Sequence, residues 1–263
     1  MLALLCLAVP TCMSGCPGGV APDGGSGRLT VMAYNVNYGM PAAEGTVEVI
    51  RRTGADAVCL QETTREWERL LRRELRRQYP HMRFKHTAGA GGQATLSKLP
   101  FDEVYYRRPA GAWHAGWMIR VRTPSGPVQL LNVHLRPPVA PGADGVYRFS
   151  LKPHFPSRNI RRDQLAEMLG WADLSRATVI LGDFNEPDNG KAISYACKEK
   201  GFASARARHD PRTPTWQIKW GPIPISRRLD HILYTPDLQC LNAWIVKDGG
   251  SDHRAVVATF ERK

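Results

Sequence analysis

The stretch Val179-Ile180-Leu181-Gly182-Asp183-Phe184-Asn185 carries most of the fold information in this chain. An apolar run stops abruptly at Gly182-Asp183-Phe184-Asn185. That pattern predicts a buried strand that delivers a carboxylate and a carboxamide to its C-terminal mouth. On extended backbone Asp183 and Asn185 face the same side. Asp183 is then a candidate base or metal ligand, and Asn185 a neutral donor. Gly-Asp-x-Asn is also good turn chemistry, so the reading depends on whether other strands end in the same way.

They do. Tyr34-Asn35-Val36-Asn37 ends a strand beginning at Leu29, and Cys59-Leu60-Gln61-Glu62 ends a second beginning at Asp56. Asn132-Val133-His134-Leu135 ends a third, which forms a hairpin with Trp117 to Arg122 across Pro124-Ser125-Gly126. Leu229-Asp230-His231-Ile232 opens a strand, and Ser251-Asp252-His253 stands just before the last one, Ala255 to Phe260. Between them, Thr46 to Arg52 predicts a short helix with Thr46 as N-cap and Gly54 at its stop. Thr64 to Gln78 predicts a helix with Leu70, Leu71 and Leu75 inward. Ile160 to Trp171 and Gly190 to Lys200 predict two more, followed by a Pro-rich basic loop to Arg228. Strands and helices without strict βαβ alternation predict an α/β protein of packed layers, with mixed or largely antiparallel sheets.

The chain has 263 residues, a formal net charge of +12 and a pI near 9.7. One α/β domain of residues 29–263 fits that length, and the charge suits a polyanionic partner or simply solubility. Met1 to Met13 is apolar but too short to span a bilayer, and reads as a signal-peptide core. Met13-Ser14-Gly15-Cys16 resembles the bacterial lipobox. Residues 1–16 are therefore expected to be a signal peptide with Cys16 as lipidation site, and 17–28 a flexible Gly-rich linker. The expected location is a bacterial cell envelope, as an outer-membrane or cell-surface lipoprotein, and otherwise the secreted fraction. Cys59, Cys197 and Cys240 remain, without metal-ligand spacing. Cys59 reads as a core hydrophobe, and a Cys197–Cys240 disulfide is compatible with an oxidising compartment.

Each polar strand end is weak alone, yet together they run Asn, Glu, His, Asp-x-Asn, Asp, Asp-His. In this order the chain resembles the endonuclease/exonuclease/phosphatase superfamily from Leu29 to Phe260. The resemblance implies a two-sheet α/β sandwich with mixed, largely antiparallel sheets flanked by helices, and metal-assisted hydrolysis of a phosphoester. It implies Mg²⁺ as the ion, with Mn²⁺ or Ca²⁺ as alternatives. Glu62 matches the metal-binding glutamate, Asn35 would help order ion and phosphate, and Asp252 is a further ligand, directly or through water. Asp183 would orient and deprotonate the attacking water while Asn185 holds a phosphate oxygen. His253 would contact the phosphate or act as acid or base, with Asp230 fixing its tautomer. His134 would supply a second donor to the phosphate or the leaving oxygen. Asn37, Asn132 and His231 read as supporting neighbours, and Gly92 to Lys98 as a core strand and turn.

The substrate is less constrained. His134 is typical of the deoxyribonuclease, sphingomyelinase and inositol-phosphatase branches, whereas abasic-site endonucleases typically place a tyrosine there. Arg158, in the insertion Tyr147 to Arg162 with Lys152, His154, Arg161 and Arg162, is a candidate substrate contact. Trp216 either stacks on a base or headgroup or packs its loop down, the second being favoured. Nucleic acid is slightly preferred as the partner; a phospholipid, sphingomyelin or inositol-phosphate substrate is the alternative. A catalytically dead nucleic-acid-binding module would need a missing site residue, and none of the matched positions is substituted. A monomer is expected.

Overall fold

The computed structural model describes residues 27–141, 147–149, 155–220 and 222–263. The expected signal peptide, Cys16 and nearly all of the expected linker lie outside these residues, as do Lys152 and His154. In chain order the elements are β1 (Arg28–Asn35), α1 (Ala43–Thr53), β2 (Ala57–Gln61), α2 (Arg65–Leu75), β3 (His81–Lys85), β4 (Gln93–Ser97), β5 (Phe101–Arg107), β6 (Gly116–Thr123) and β7 (Gly126–His134). They continue with β8 (Val139–Pro141), β9 (Tyr147–Phe149), α3 (Phe155–Leu169), β10 (Thr178–Asp183), α4 (Lys191–Ser194), β11 (Ala203–Ser204) and α5 (Ala205–His209). The last are β12 (Trp216–Trp220), β13 (Ile223–Arg227), β14 (Asp230–Tyr234), β15 (Leu238–Ile245) and β16 (Val256–Arg262).

Period-two burial builds two sheets with two apolar faces each. In β1, Val31 and Ala33 point between the sheets while Met32 and Tyr34 point outward; in β10, Val179 and Leu181 point between the sheets while Ile180 points outward. One sheet has the order β15-β16-β1-β2-β4-β3, the other β11-β14-β10-β7-β6-β5. Helices α1 and α2 cover the outer face of the first through residues such as Ile50, Trp67, Leu71 and Leu75. Helices α3 and α4 cover the second through Leu165, Met168, Ala192 and Ile193. The result is the two-sheet α/β sandwich that the family resemblance implies, built of the packed layers that the mix of strands and helices predicts.

Each sheet contains one parallel pair near its centre, β1 with β2 and β7 with β10; the remaining pairings of the two large sheets are antiparallel. These four strands pack against one another across the interface. Gly182 leaves room at their seam: a Cβ there would lie 2.1 Å from the Val133 carbonyl oxygen of neighbouring β7 and 3.1 Å from Gln61 Nε2 of the facing sheet, and its φ of 140° is one L side chains rarely adopt. Beneath the strand ends a buried polar bridge locks the sheets in register. Gln61 Nε2 donates to Asn132 Oδ1 (2.7 Å), and Asn132 Nδ2 donates to the Leu60 carbonyl (3.1 Å).

Several local expectations change. Helix α1 begins at Ala43, with Ala42 at the N-cap and Thr46 buried inside the first turn. Ala43 and Glu44 are good helix formers, and the inward position of Thr46 outweighs its capping preference. Gly54 does stop the helix, at φ 61°. Thr64 caps α2 by accepting from the Trp67 N–H, and Trp67 takes the inward place that Leu70 shares only in part. The Pro-rich basic segment is not a bare loop. It holds β11, α5 and the β12–β13 hairpin, because Pro222 and Pro224 sit at the turn and on an edge strand, where a missing N–H costs little. Cys197 and Cys240 are free thiols: Cys240 faces the inter-sheet core, whereas Cys197 packs on the opposite side of the second sheet. Among the described residues no helix is long and apolar enough to cross a membrane.

Candidate active site

The C-terminal ends of both parallel pairs meet at one edge of the sandwich, and the polar residues gather there. Asn35 is the last residue of β1, Glu62 follows β2, His134 ends β7 and Asp183 ends β10. On the second sheet, Asp230, Asp183 and His134 stand side by side on β14, β10 and β7. Asp252 and His253 arrive from the turn before β16. All the predicted catalytic and metal residues except Asn35 and Asp230 line one cleft of about 240 Å³, with Trp113, His114, Pro137, Pro138 and Trp216 as further walls. Asn35 and Asp230 stand directly behind it.

The local backbone is strained where the side chains must turn inward. Asn37, Glu62 and Asn185 have φ of 60°, 63° and 51°, in the left-handed region. Asparagine tolerates this region, whereas at Glu62 it costs about 1–2 kcal/mol and survives only where surrounding contacts enforce it. At Glu62 these contacts are Asn35 Nδ2 to Oε1 (2.9 Å) and Tyr38 N to Oε2 (3.2 Å). At Asn185 the backbone N–H donates to Asp183 Oδ1 (2.8 Å). Asp183 and Asn185 therefore do not share a face through strand alternation. A side-chain-closed turn brings them together, because β10 ends at Asp183.

Asp183 is the hub. Its Oδ2 accepts from Asn35 Nδ2 (3.1 Å) and lies 3.6 Å from His134 Nε2 and 3.8 Å from His253 Nε2. Burial raises its pKa to about 7, against the attraction of the His253 imidazolium. Burial also disfavours the His253 imidazolium, but Asp230 and then Asp183 outweigh it and lift the pKa to about 10. Asp230 holds His253 Nδ1 at 3.0 Å and is itself anchored by its backbone N–H on Thr215 Oγ1. His134 goes the other way: burial, then the nearby His114 and His253, keep it well below the usual histidine range and hence neutral.

Asp252 accepts from Asn37 Nδ2 (2.8 Å) on one oxygen and from Trp216 Nε1 (2.9 Å) on the other. Trp216 thus packs its segment down, as expected, and also orients a carboxylate. Asn35 presents its amide nitrogen to Glu62 and Asp183, while its Oδ1 accepts from the Asn37 N–H (3.1 Å). In this orientation it orders the acids. His231 lies behind the site, buried, with Nε2 on the Glu186 carbonyl. Arg158 does not reach the cleft lining; its Nη2 donates to the Asn189 carbonyl.

The donor chemistry fits a hard divalent cation. Glu62, Asp183, Asp230 and Asp252 face His253 as the adjacent imidazolium, and burial lifts the Glu62 carboxyl above its ordinary pKa against the Asn35 hydrogen bond and the attraction of His253. Ligand atoms of Asp183, Asp230 and His253 also lie within 4.8 Å of one another. A protonated His253 that donates Nδ1 to Asp230 does not coordinate a metal, so this trio is better read as a hydrogen-bonded Asp230–His253 pair whose Nε2 faces Asp183 at 3.8 Å. Glu62 is the more open acid of the cleft beside Asp183 and could hold an ion.

Sequence reasoning missed His114, Trp113, Thr215 and the Arg161–Glu186 pair. His114 stacks on His134 with ring centroids 3.9 Å apart and planes 12° apart. It is a lone histidine between turns, with no periodicity to mark it. Thr215 was hidden among prolines.

Comparison with known proteins agrees with this geometry. The model of the endonuclease/exonuclease/phosphatase family matches residues 32–253. No curated protein sequence matches the chain. Among solved structures, an endonuclease/exonuclease/phosphatase from Beutenbergia cavernae is 18% identical, with TM-score 0.68, covering 90% of this chain and 72% of that one. TDP2 of D. rerio in complex with a single-strand DNA product is 16% identical, with TM-score 0.68, covering 90% of this chain and all (100%) of that one. A truncated TDP2 of Caenorhabditis elegans is 18% identical, with TM-score 0.64, covering 89% of this chain and 98% of that one. At these identities the likeness is one of fold. With the family match spanning most of its length and the strand-end residues in place, the chain belongs to the endonuclease/exonuclease/phosphatase family.

Proposed function

We propose that this chain is a divalent-cation-dependent phosphoester hydrolase that acts on phosphodiesters. The observation that carries the reading is the pairing at the strand ends: a buried acid poised near neutrality, Asp183, beside an imidazolium that Asp230 holds in place. Asp183 Oδ2 accepts the proton of the attacking water, since a pKa near 7 leaves a large basic fraction at neutral pH. His253, protonated, offers Nε2–H to a phosphate oxygen and stabilises the charge that builds there. Neutral His134 offers a second ring nitrogen. The Asn185 carboxamide, tethered by Nδ2 to the Leu135 carbonyl (2.9 Å), keeps its second N–H for phosphate. Glu62, ordered by Asn35 and the Tyr38 N–H, would hold the cation, with Asp252, oriented by Asn37 and Trp216, as a further ligand directly or through water. When bound, such an ion neutralises phosphate oxygens and the developing charge.

Nucleic acid is the favoured substrate. The net charge of +12 suits a polyanion, and D. rerio TDP2 was solved with a single-strand DNA product. A lipid headgroup is the second reading, supported by the lipobox-like Met13 to Cys16, which would tether the enzyme to a membrane. The test is a panel of DNA, RNA, sphingomyelin, inositol phosphates and a simple phosphodiester, each with Mg²⁺, Mn²⁺ or Ca²⁺. Hydrolysis that depends on the ion and is lost in Asp183→Asn is expected. Failure on every phosphoester, or full activity in Asp183→Asn, overturns the reading.

A further inference from the structure

The loop from Asp183 to Gly190 is gripped at Glu186, a residue with no evident place in the chemistry. The Glu186 side chain is fully buried. Its Oε2 accepts from Arg161 Nε (3.2 Å), its Oε1 from the Ile193 N–H (2.9 Å), and its carbonyl from His231 Nε2 (2.9 Å). Gly190 leaves room for it, since a Cβ there would lie 2.1 Å from the Glu186 carboxyl carbon.

Arg161 stands on α3, and only 5% of its side chain is exposed, which removes it from the set of substrate contacts that its sequence neighbourhood suggests. Its second arm, Nη1, donates to the Arg136 carbonyl (3.1 Å), two residues beyond His134. The same two loops also touch directly, through Leu135 N–H on the Asp183 carbonyl (2.9 Å) and Asn185 Nδ2 on the Leu135 carbonyl. One helical turn on, Gln164 accepts from the Arg136 N–H (3.1 Å) and donates to the Gly111 carbonyl (3.4 Å), three residues before His114. Two buried polar side chains of α3 thus hold the segments that carry Asp183, Asn185, His134 and His114.

A buried ion pair is a weak source of stability, because desolvation cancels much of the attraction and an apolar pair often does as well. A planar guanidinium can instead hold two acceptors at a fixed separation. We infer that Arg161, bridging Glu186 and the Arg136 carbonyl, is a positioning residue that sets the placement of Asp183 against His134. Its activity readout rests on the phosphoester-hydrolase reading; its structural readout does not.

The experiment compares wild type, Arg161→Lys and the double variant Arg161→Met with Glu186→Leu, in Mg²⁺. It measures thermal unfolding, amide hydrogen exchange in residues 183–190, and kcat and KM on the phosphodiester that wild type cleaves. The double variant is expected to unfold cooperatively and to keep the protection of β7, while residues 183–190 exchange faster. Its kcat should fall about a hundredfold with KM little changed, the mark of lost placement. Arg161→Lys keeps the charge but cannot span both acceptors, and should lose about tenfold in kcat. A folded double variant with wild-type loop exchange or wild-type kcat overturns the inference. So does an unfolded double variant beside a fully active Arg161→Lys, which would leave the pair a role in stability alone. If the double variant does not fold, a folded Arg161→Lys with faster loop exchange and lower kcat still supports it. If wild type cleaves no phosphoester, the functional reading fails and the loop exchange alone decides the positioning role.

Discussion

Glu62 and Asp183 occupy equivalent places, each at the C-terminal end of a central parallel strand pair, yet they are set for different work. The Glu62 side chain keeps 16% of its surface open, sits on left-handed backbone and meets two neutral donors. Asp183 keeps 2%, is closed into a turn with Asn185 and faces two histidines. Burial raises the pKa of both, and the opposing attraction of the His253 imidazolium comes first at Asp183 but after the Asn35 hydrogen bond at Glu62. One sheet therefore presents the more open acid, and the other an acid that already has a proton partner. Two nearly identical strand ends diverge because the second sheet has β14 beside β10, bringing Asp230 and, through it, His253.

The largest test of this division is Asp183→Asn. It removes the proposed base but keeps the shape, and should lower kcat by at least about a thousandfold, read in steady-state hydrolysis. An equal loss in Glu62→Gln that added Mg²⁺ does not relieve would erase the contrast. The expected result for Glu62→Gln is a roughly ten- to hundredfold higher Mg²⁺ requirement, measured by titrating the ion against activity.

Next comes His114, whose stacking on neutral His134 belongs to the proton side of the site. Burial lowers its pKa from 6.5 to about 4. Between those values the unfolded chain binds more protons than the folded one, so this contribution is fully present above pH 6.5 and is lost as pH falls toward 4. Urea unfolding at pH 7 and pH 4.5 should show an acid destabilisation smaller by about 2 kcal/mol in His114→Phe than in wild type. An identical pH response in the two proteins would exclude the buried neutral histidine.

The smallest effect is expected at Arg158. Bonded to the Asn189 carbonyl outside the cleft, it should change kcat/KM by no more than about twofold when replaced by Ala, within the range of surface substitutions. A tenfold rise in KM would return it to the substrate contacts.

The strand ends were legible in the sequence because a central strand is apolar on both faces, so its end shows as a sudden polar residue. Asn35, Glu62, His134 and Asp183 announce themselves this way, Asp230 does so by opening a strand, and Asp252 and His253 by standing just before the last one. The β12–β13 hairpin was not legible, since prolines that signal loops are also tolerated on edge strands. His114 and Glu186 were silent for a different reason, and Arg161 stood out only as one of several basic residues. Their significance lies in partners 20 and 25 residues away in the chain, His134 and each other, and no local pattern encodes such a pairing. Trp216 was half legible: its packing was expected, its hydrogen bond to Asp252 was not.

By itself the sequence determined the layers, the family and the set of polar residues at the strand ends, because periodic burial and abrupt polarity are written locally. Only the tertiary structure decided how those residues differ. Which carboxylate is sealed and which is open, why His253 is charged while His134 is neutral, and how α3 binds the loops together depend on distances between strands. Those distances set desolvation and Coulomb attraction, and they exist only once both sheets have packed.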